Sequence, residues 1–253
     1  MATYETLQST NTEALALARR GEQAPLWITA RQQTAGRGRR GRTWVSPPGN
    51  LYATLLLYDP APPAIAAQGS FVAALAVYDA IRHCARQLGD KLALKWPNDV
   101  LCGGAKFAGI LLESESLRRN LALAIGIGVN CSHHPAHTSY PATDLSAAGA
   151  DISAEQVFFA LSAAMLRRLA QWRRGARFAA VRAAWLDRAV GIGGAVCVRL
   201  ADREMIGRFE ALDAQGRLLL RLDDGTLQAI DAGEVFLRAP RGETAGGPTG
   251  CVH

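Results

Sequence analysis

Apolar residues recur along this chain with two periods, and the dominant period changes near residue 191. Leu15, Leu17 and Ala18 sit among helix formers behind Ser9-Thr10-Asn11-Thr12-Glu13. Thr10 and Glu13 have capping-box spacing, so a helix is predicted to start there. Leu26 to Thr29 reads as a short strand. Leu51 to Tyr58 reads as a second, strongly apolar one, closed by the proline-rich turn 60–63. A long helix is predicted over 67–88, with Phe71, Ala74, Leu75, Tyr78 and Ile81 on its buried side. A strand over 91–96 runs into Trp96-Pro97-Asn98-Asp99. A hairpin follows, made of Val100-Leu101-Cys102, the Gly103-Gly104 turn and a strand from Lys106 to Ser114. Residues 121–129 are apolar at nearly every position, as in a strand covered on both faces. Ser153 and Gln156 form another capping-box pattern that opens a helix over 153–173, and a further helix over 177–190 carries Trp185.

Beyond Gly191 the pattern becomes about five short strands separated by turn signals such as Ala214-Gln215-Gly216 and Asp223-Asp224-Gly225. The fold expected is α+β, with a domain over 1–190 and a small β-barrel over 191–238. Residues 239–253 are rich in Gly, Pro and Thr and are expected to form a disordered tail.

Composition changes this picture little. At 49% hydrophobic and 20% charged the chain is ordinary for a globular protein. No apolar run approaches the ~20 residues of a membrane helix, and Met1-Ala2-Thr3-Tyr4-Glu5 lacks the features of a signal peptide. The five cysteines are scattered without a C-x-x-C pair, which points to reduced thiols in a cytoplasmic protein. Net charge is +6, and four of the 28 basic residues lie in one loop, so the basicity is partly a property of a site.

That loop, Gly36-Arg37-Gly38-Arg39-Arg40-Gly41-Arg42 with Trp44 behind it, carries the strongest chemical signal. Arginine presents a planar fork of donors suited to carboxylate and phosphate oxygens. Glycine lets backbone N–H groups come close to a ligand. The string fits the dinucleotide fingerprint G-x-G-x-x-G, but Pro47-Pro48-Gly49 follows at once and no helix can open there. An RNA-binding patch and a merely solvated basic loop remain open at this point.

Four segments in order decide among them. The loop 36–42, Lys95-Trp96-Pro97-Asn98-Asp99, Lys106-Phe107-Ala108-Gly109-Ile110-Leu111-Leu112-Glu113 and Gly126-Ile127-Gly128-Val129-Asn130, with a Ser9-Thr10-Asn11 start, closely resemble biotin protein ligases. The resemblance spans residues 7–238. It implies a mixed-sheet catalytic domain of the class II synthetase/biotin–lipoate ligase type with a C-terminal SH3-like barrel. It also implies a two-step reaction in which biotin and ATP give biotinyl-5′-AMP, and a lysine of a biotin carboxyl carrier domain then takes the biotin. Mg²⁺ is expected with the ATP.

By position, the resemblance assigns Ser9, Thr10, Asn11, Gln33, Arg37, Gly38, Arg39 and Lys106 to biotin, with Lys106 and Arg39 catalytic. Arg40, Arg42, Trp44, Asn98 and Asn130 are assigned to the nucleotide. Asp99 is expected either to position the acceptor lysine or to orient Lys106. Gly109, Gly126 and Gly128 are expected to leave room for ligand beside their strands.

Cys131-Ser132-His133-His134-Pro135-Ala136-His137 has the residue types of a zinc site, but its spacing fits no usual structural site and no metal is expected there. About eight residues precede Ser9, so neither a DNA-binding domain nor specific DNA binding is expected, while a homodimer stays open. No G-x-x-x-x-G-K-[ST] loop is present, which sets aside a P-loop kinase or GTPase. Lipoate ligation is the nearest alternative, and an RNA-binding module would leave Lys-Trp-Pro-Asn-Asp unexplained. The loop 36–42 is expected to have little order before its ligands arrive, because its four arginines repel one another.

Overall fold

The computed structural model describes residues 1–118, 120–138 and 140–237, and the tail expected over 239–253 lies outside the described residues. The chain starts with a strand that the hydrophobic pattern did not announce, β1 (Ala2–Leu7), parallel to β2 (Leu26–Gln33). Helix α1 (Thr10–Arg19) joins them. There follow β3 (Leu51–Tyr58), α2 (Gly69–Cys84), β4 (Leu92–Lys95), β5 (Asp99–Cys102), β6 (Ala105–Ser116) and β7 (Leu121–Val129). In space the strands run β1-β2-β3-β7-β6-β5-β4, and every neighbouring pair after the first is antiparallel. Helices α3 (Ala154–Trp172) and α4 (Phe178–Leu186) complete this part.

Strand β7 shows how the layers are set. Its odd residues Leu123, Ile125, Ile127 and Val129 enter the main core beside α2 and α3. Ala122 and Ala124 pack instead with Ala14, Leu17 and Ala18 of α1 on the opposite face. Gly126 and Gly128 continue that second face past the start of α1. The sheet there carries no side chains from β7, and this is where the site lies.

Several expectations need correction. The helix predicted over 67–88 is α-helical only in α2, with 3₁₀ turns at Pro63–Gln68 and Arg86–Lys91. Pro63–Cys84 is, by length and composition, long enough to cross a membrane, contrary to the reading that no run approaches that length. It is the core helix of the fold, with 72% of its apolar window buried. Helix α4 stops at Leu186, because residues 188–190 run alongside β4 instead. Leu94 N–H donates to the Arg188 carbonyl at 2.8 Å and Val190 N–H to the Leu94 carbonyl at 2.9 Å, covering a sheet edge. The Thr10–Glu13 capping box does not form. Ser9 is the N-cap residue without a side-chain bond, since the Thr10 hydroxyl is drawn to Gln33. The Ser153–Gln156 box forms both of its hydrogen bonds.

The C-terminal unit is the expected small SH3-like antiparallel sheet. It consists of β8 (Ala195–Arg199), β9 (Glu204–Leu212), β10 (Leu218–Arg221), β11 (Leu227–Ile230) and β12 (Glu234–Leu237), ordered β11-β10-β9-β8-β12. It shares one apolar core with the larger sheet. Phe71 of α2 meets Phe178 and Trp185 edge-on, at centroid distances of 5.6 and 5.5 Å. Trp96 Nε1–H donates to the Gly216 carbonyl at 3.1 Å. Gly216 has φ +88°, and a Cβ there would come within 2.7 Å of the Phe71 ring, so both backbone and packing demand glycine. Cys84, Cys102 and Cys131 are free thiols.

Candidate active site

A cleft of about 360 Å³ opens over the bare part of the sheet, between the start of α1, the loop 36–44, the hairpin β5–β6 and the first turn of β12. All thirteen residues assigned from sequence line it. It is built in three parts.

The first is a polar cradle. Ser9, Thr10 and Asn11 are all buried. Gln33 Oε1 accepts from the Thr10 backbone N–H (2.8 Å) and hydroxyl (3.2 Å), and its amide donates to Ser46 Oγ at 3.0 Å. Thr54 Oγ1 lies 2.7 Å from Asn11 Oδ1, while the Asn11 amide donates to Glu113 at 2.8 Å. The glycines do not leave empty room, as the sequence reading had it. A Cβ on Gly126 would stand 2.3 Å from Asn11 Oδ1, and one on Gly128 would stand 2.6 Å from the Trp44 ring. The bare strand lets site side chains lie flat on the sheet. The Nε1–H of Trp44, buried there, has no hydrogen-bond partner.

The second part is cationic. Strands β5 and β6 pair Val100 with Ala108 but Leu101 with Lys106, so Phe107 is an extra residue in a bulge. Phe107 and Ala108 both enter the core, and the phase change puts Lys106 on the face of Gly109 and Leu111. The ammonium of Lys106 forms an ion pair with Asp99 Oδ1 at 2.6 Å. Lys95 approaches the other Asp99 oxygen at 3.7 Å. The Lys106 backbone is strapped by the loop after β7, donating to the Pro141 carbonyl at 2.7 Å and accepting from Thr143 N–H at 2.9 Å. Asn130 sends its amide to the Thr143 carbonyl at 3.1 Å and so braces that strap. The histidines of this loop do not assemble. His134 meets Asp144 at 2.6 Å, and among the described residues no group of three or more metal-ligating side chains exists.

The third part is the arginine loop, and it is not a set of free charges. Arg37 pairs with Glu113 at 3.0 Å, and Arg39 reaches Asn98 Oδ1 and the Gly233 carbonyl, each at 3.4 Å. Arg40 donates to the carbonyls of Arg199 (3.3 Å) and Leu200 (3.4 Å), and Arg42 forms a two-pronged pair with Glu234. Mutual repulsion, the ground for expecting little order, is offset by these acceptors. Burial lowers the pKa of the Arg39 guanidinium even though Asp99 opposes it. The hydrogen bond from Arg42 holds the Glu234 carboxyl below its ordinary range. Sequence reasoning missed Lys95, Ser46, Thr54, Tyr140 and Glu234. Lys95 stood inside a recognised motif, but nothing marked Glu234, 192 positions from its partner.

Comparison with known proteins fits this geometry. Residues 4–130 match the biotin/lipoate A/B protein ligase family, and residues 191–238 match the biotin protein ligase C-terminal domain. A biotin–[acetyl-CoA-carboxylase] ligase of Paracoccus denitrificans is 43% identical over 90% of this chain and 96% of its own length. The chain belongs to the biotin protein ligase family. ATP-dependent biotinylation of protein is accordingly its reaction. The ligase is also 32% identical to the bifunctional ligase/repressor BirA of Bacillus subtilis, over 90% of this chain and 71% of that one. Its fold matches a biotin protein ligase from Aquifex aeolicus in complex with biotin and ATP, with a TM-score of 0.78 and 26% identity over 94% and 98% of the two chains.

Proposed function

We propose that this one cleft performs both half-reactions, with Lys106 and Arg39 as the catalytic cations. The carboxylate of biotin attacks the α-phosphorus of ATP, a P–O bond forms, and pyrophosphate leaves to give biotinyl-5′-AMP. The neutral ε-amine of an acceptor lysine then attacks the acyl carbon, and AMP departs as the amide forms. Both reactants of the first step are anions, so the barrier falls only if fixed positive charge meets the reacting oxygens. The observation that carries this assignment is the Lys106–Asp99 contact. It is an ammonium at the cleft wall, partly exposed and paired with one carboxylate, whose place a substrate oxygen can take.

In this reading the cradle of Ser9, Thr10, Asn11 and Gln33 takes the ureido head of biotin. Trp44, assigned to the nucleotide from sequence, covers the biotin rings instead because it lies on Gly128 beside Lys106. Arg37, Gly38 and Arg39 close over the carboxylate. Arg40, Arg42, Asn98 and Asn130 serve the nucleotide. Mg²⁺ comes with the triphosphate, because the protein offers it no cage of its own among the described residues. The acceptor is a biotin carboxyl carrier domain of an acetyl-CoA carboxylase, and the cytoplasm is the place of action. Support comes from the Paracoccus relative for the acceptor and from composition for the compartment.

The test is transfer of labelled biotin or lipoate, with ATP and Mg²⁺, to carrier domains. Biotin transfer is expected, with Lys106→Ala lowering biotinyl-5′-AMP formation on the order of 100-fold or more. Transfer of lipoate alone would reassign the substrate, and an unimpaired Lys106→Ala enzyme would displace the catalytic assignment.

A further inference from the structure

Asp99 holds two ammonium groups, one at each carboxylate oxygen, and the reaction proposed above employs only one of them. Lys106, with 28% of its side chain exposed, borders the cleft. Lys95 belongs to the same cleft lining but is set deeper, with only 3% of its side chain exposed. The Lys95 ammonium lies 3.6 Å from the centroid of the Tyr140 ring and 5.8 Å from that of Phe236. Its strand position opposite Asp99 fixes it further, since the two are register partners in the β4–β5 ladder. A buried lysine on an aromatic face, beside one carboxylate, is costly to build and has no hydrogen-bonding role here. Burial lowers its pKa, and Asp99 acts against that shift.

We propose that Lys95 is a positioning residue for adenylation: it stays on Asp99 as a standing counter-charge so that Lys106 can leave the carboxylate for the reacting oxygens. Asp99, with 13% of its side chain exposed, cannot be left as an isolated charge cheaply. With both lysines present, the trio carries one positive charge before Lys106 moves and a neutral Lys95–Asp99 pair after it has moved. Without Lys95, Lys106 is the sole partner of Asp99 and is pinned there. Lys95 therefore touches no reacting atom. It sets the cost of Lys106 changing partners, and Tyr140 holds it against moving into the cleft itself.

The inference rests on Lys106 as the mobile cation, a reading that Lys106→Ala tests separately. The experiment here measures the single-turnover rate of biotinyl-5′-AMP formation in the full chain for Lys95→Met, Asp99→Asn and the double variant. Lys95→Met should slow the step on the order of 10- to 100-fold with little change in biotin KM. Adding Asp99→Asn should recover most of that loss, since a neutral residue 99 no longer needs a counter-charge. A merely structural lysine would give additive losses instead. A Lys95→Met enzyme at the wild-type rate, or a double variant no faster than Lys95→Met, overturns the proposal. Should Lys95→Met fail to fold, Tyr140→Leu, alone and with Asp99→Asn, is read in the same way. A several-fold loss reversed by Asp99→Asn supports the proposal, and no loss, or an unreversed one, overturns it.

Discussion

At the scale of single residues, Asn11 and Trp44 occupy the volume that Gly126 and Gly128 leave on the sheet, and that fit is tight. A methyl on Gly128 would stand 2.6 Å from the indole and must push Trp44 into the cleft. Gly128→Ala is therefore expected to raise the Kd for biotin about tenfold, read by titration calorimetry, with a smaller effect on stability. Titration supplies a second prediction. Burial pushes the Cys131 thiol up to about 12 and raises the Tyr52 phenol as well. In the unfolded chain a cysteine releases its proton near pH ~8.5 and a tyrosine near ~10. Above that range the folded state holds more protons than the unfolded one, so stability falls as pH rises. Tm should be level to about pH 8 and then decline towards pH 11, and a Tm that climbs over that interval would contradict the burial of these groups. Lys106 and the Ser9–Asn11 cradle were legible because each sits in a compact motif. Thr54 and Ser46 were not, because a hydroxyl that completes a network across the sheet leaves no local mark.

Among the elements, those with a strong apolar rhythm were readable and those defined by their neighbours were not. Strand β7 could be read outright, since both of its faces are covered. Strand β1 escaped notice because an edge strand half in solvent carries no run of apolar residues. The two capping boxes show the same divide. Ser153–Gln156 has no competing partner and forms, so Ser153→Ala should cost about 1 kcal/mol in urea unfolding. Thr10 had a better offer from Gln33, and the start of α1 became part of the site at the expense of its cap. The arginine loop stood out from composition, and the structure places it along the cleft. Its order depends on acceptors in β6 and the barrel that the local sequence does not contain.

Taken as a whole, the molecule places its barrel as one wall of the cleft, through Gly233, Glu234 and the carbonyls of Arg199 and Leu200. Glu234→Ala should leave Tm nearly unchanged, because an ion pair whose arginine is half exposed is worth ~1 kcal/mol at most. It should nonetheless speed tryptic cleavage at Arg37–Arg42 several-fold in the ligand-free enzyme, and unchanged cleavage would mean that the barrel does not hold the loop. The sequence marked the change of pattern at Gly191. Yet that boundary is not a seam. Phe71 and Trp96 both meet Gly216 of the barrel within a common interior, and residues 188–190 are stitched to β4. The barrel is therefore no interchangeable cassette. A chimera joined at 191 inherits mismatched halves of one jigsaw, and grafts between relatives should work only when the rings of α2, the Trp96 turn and α4 travel with the piece they fit.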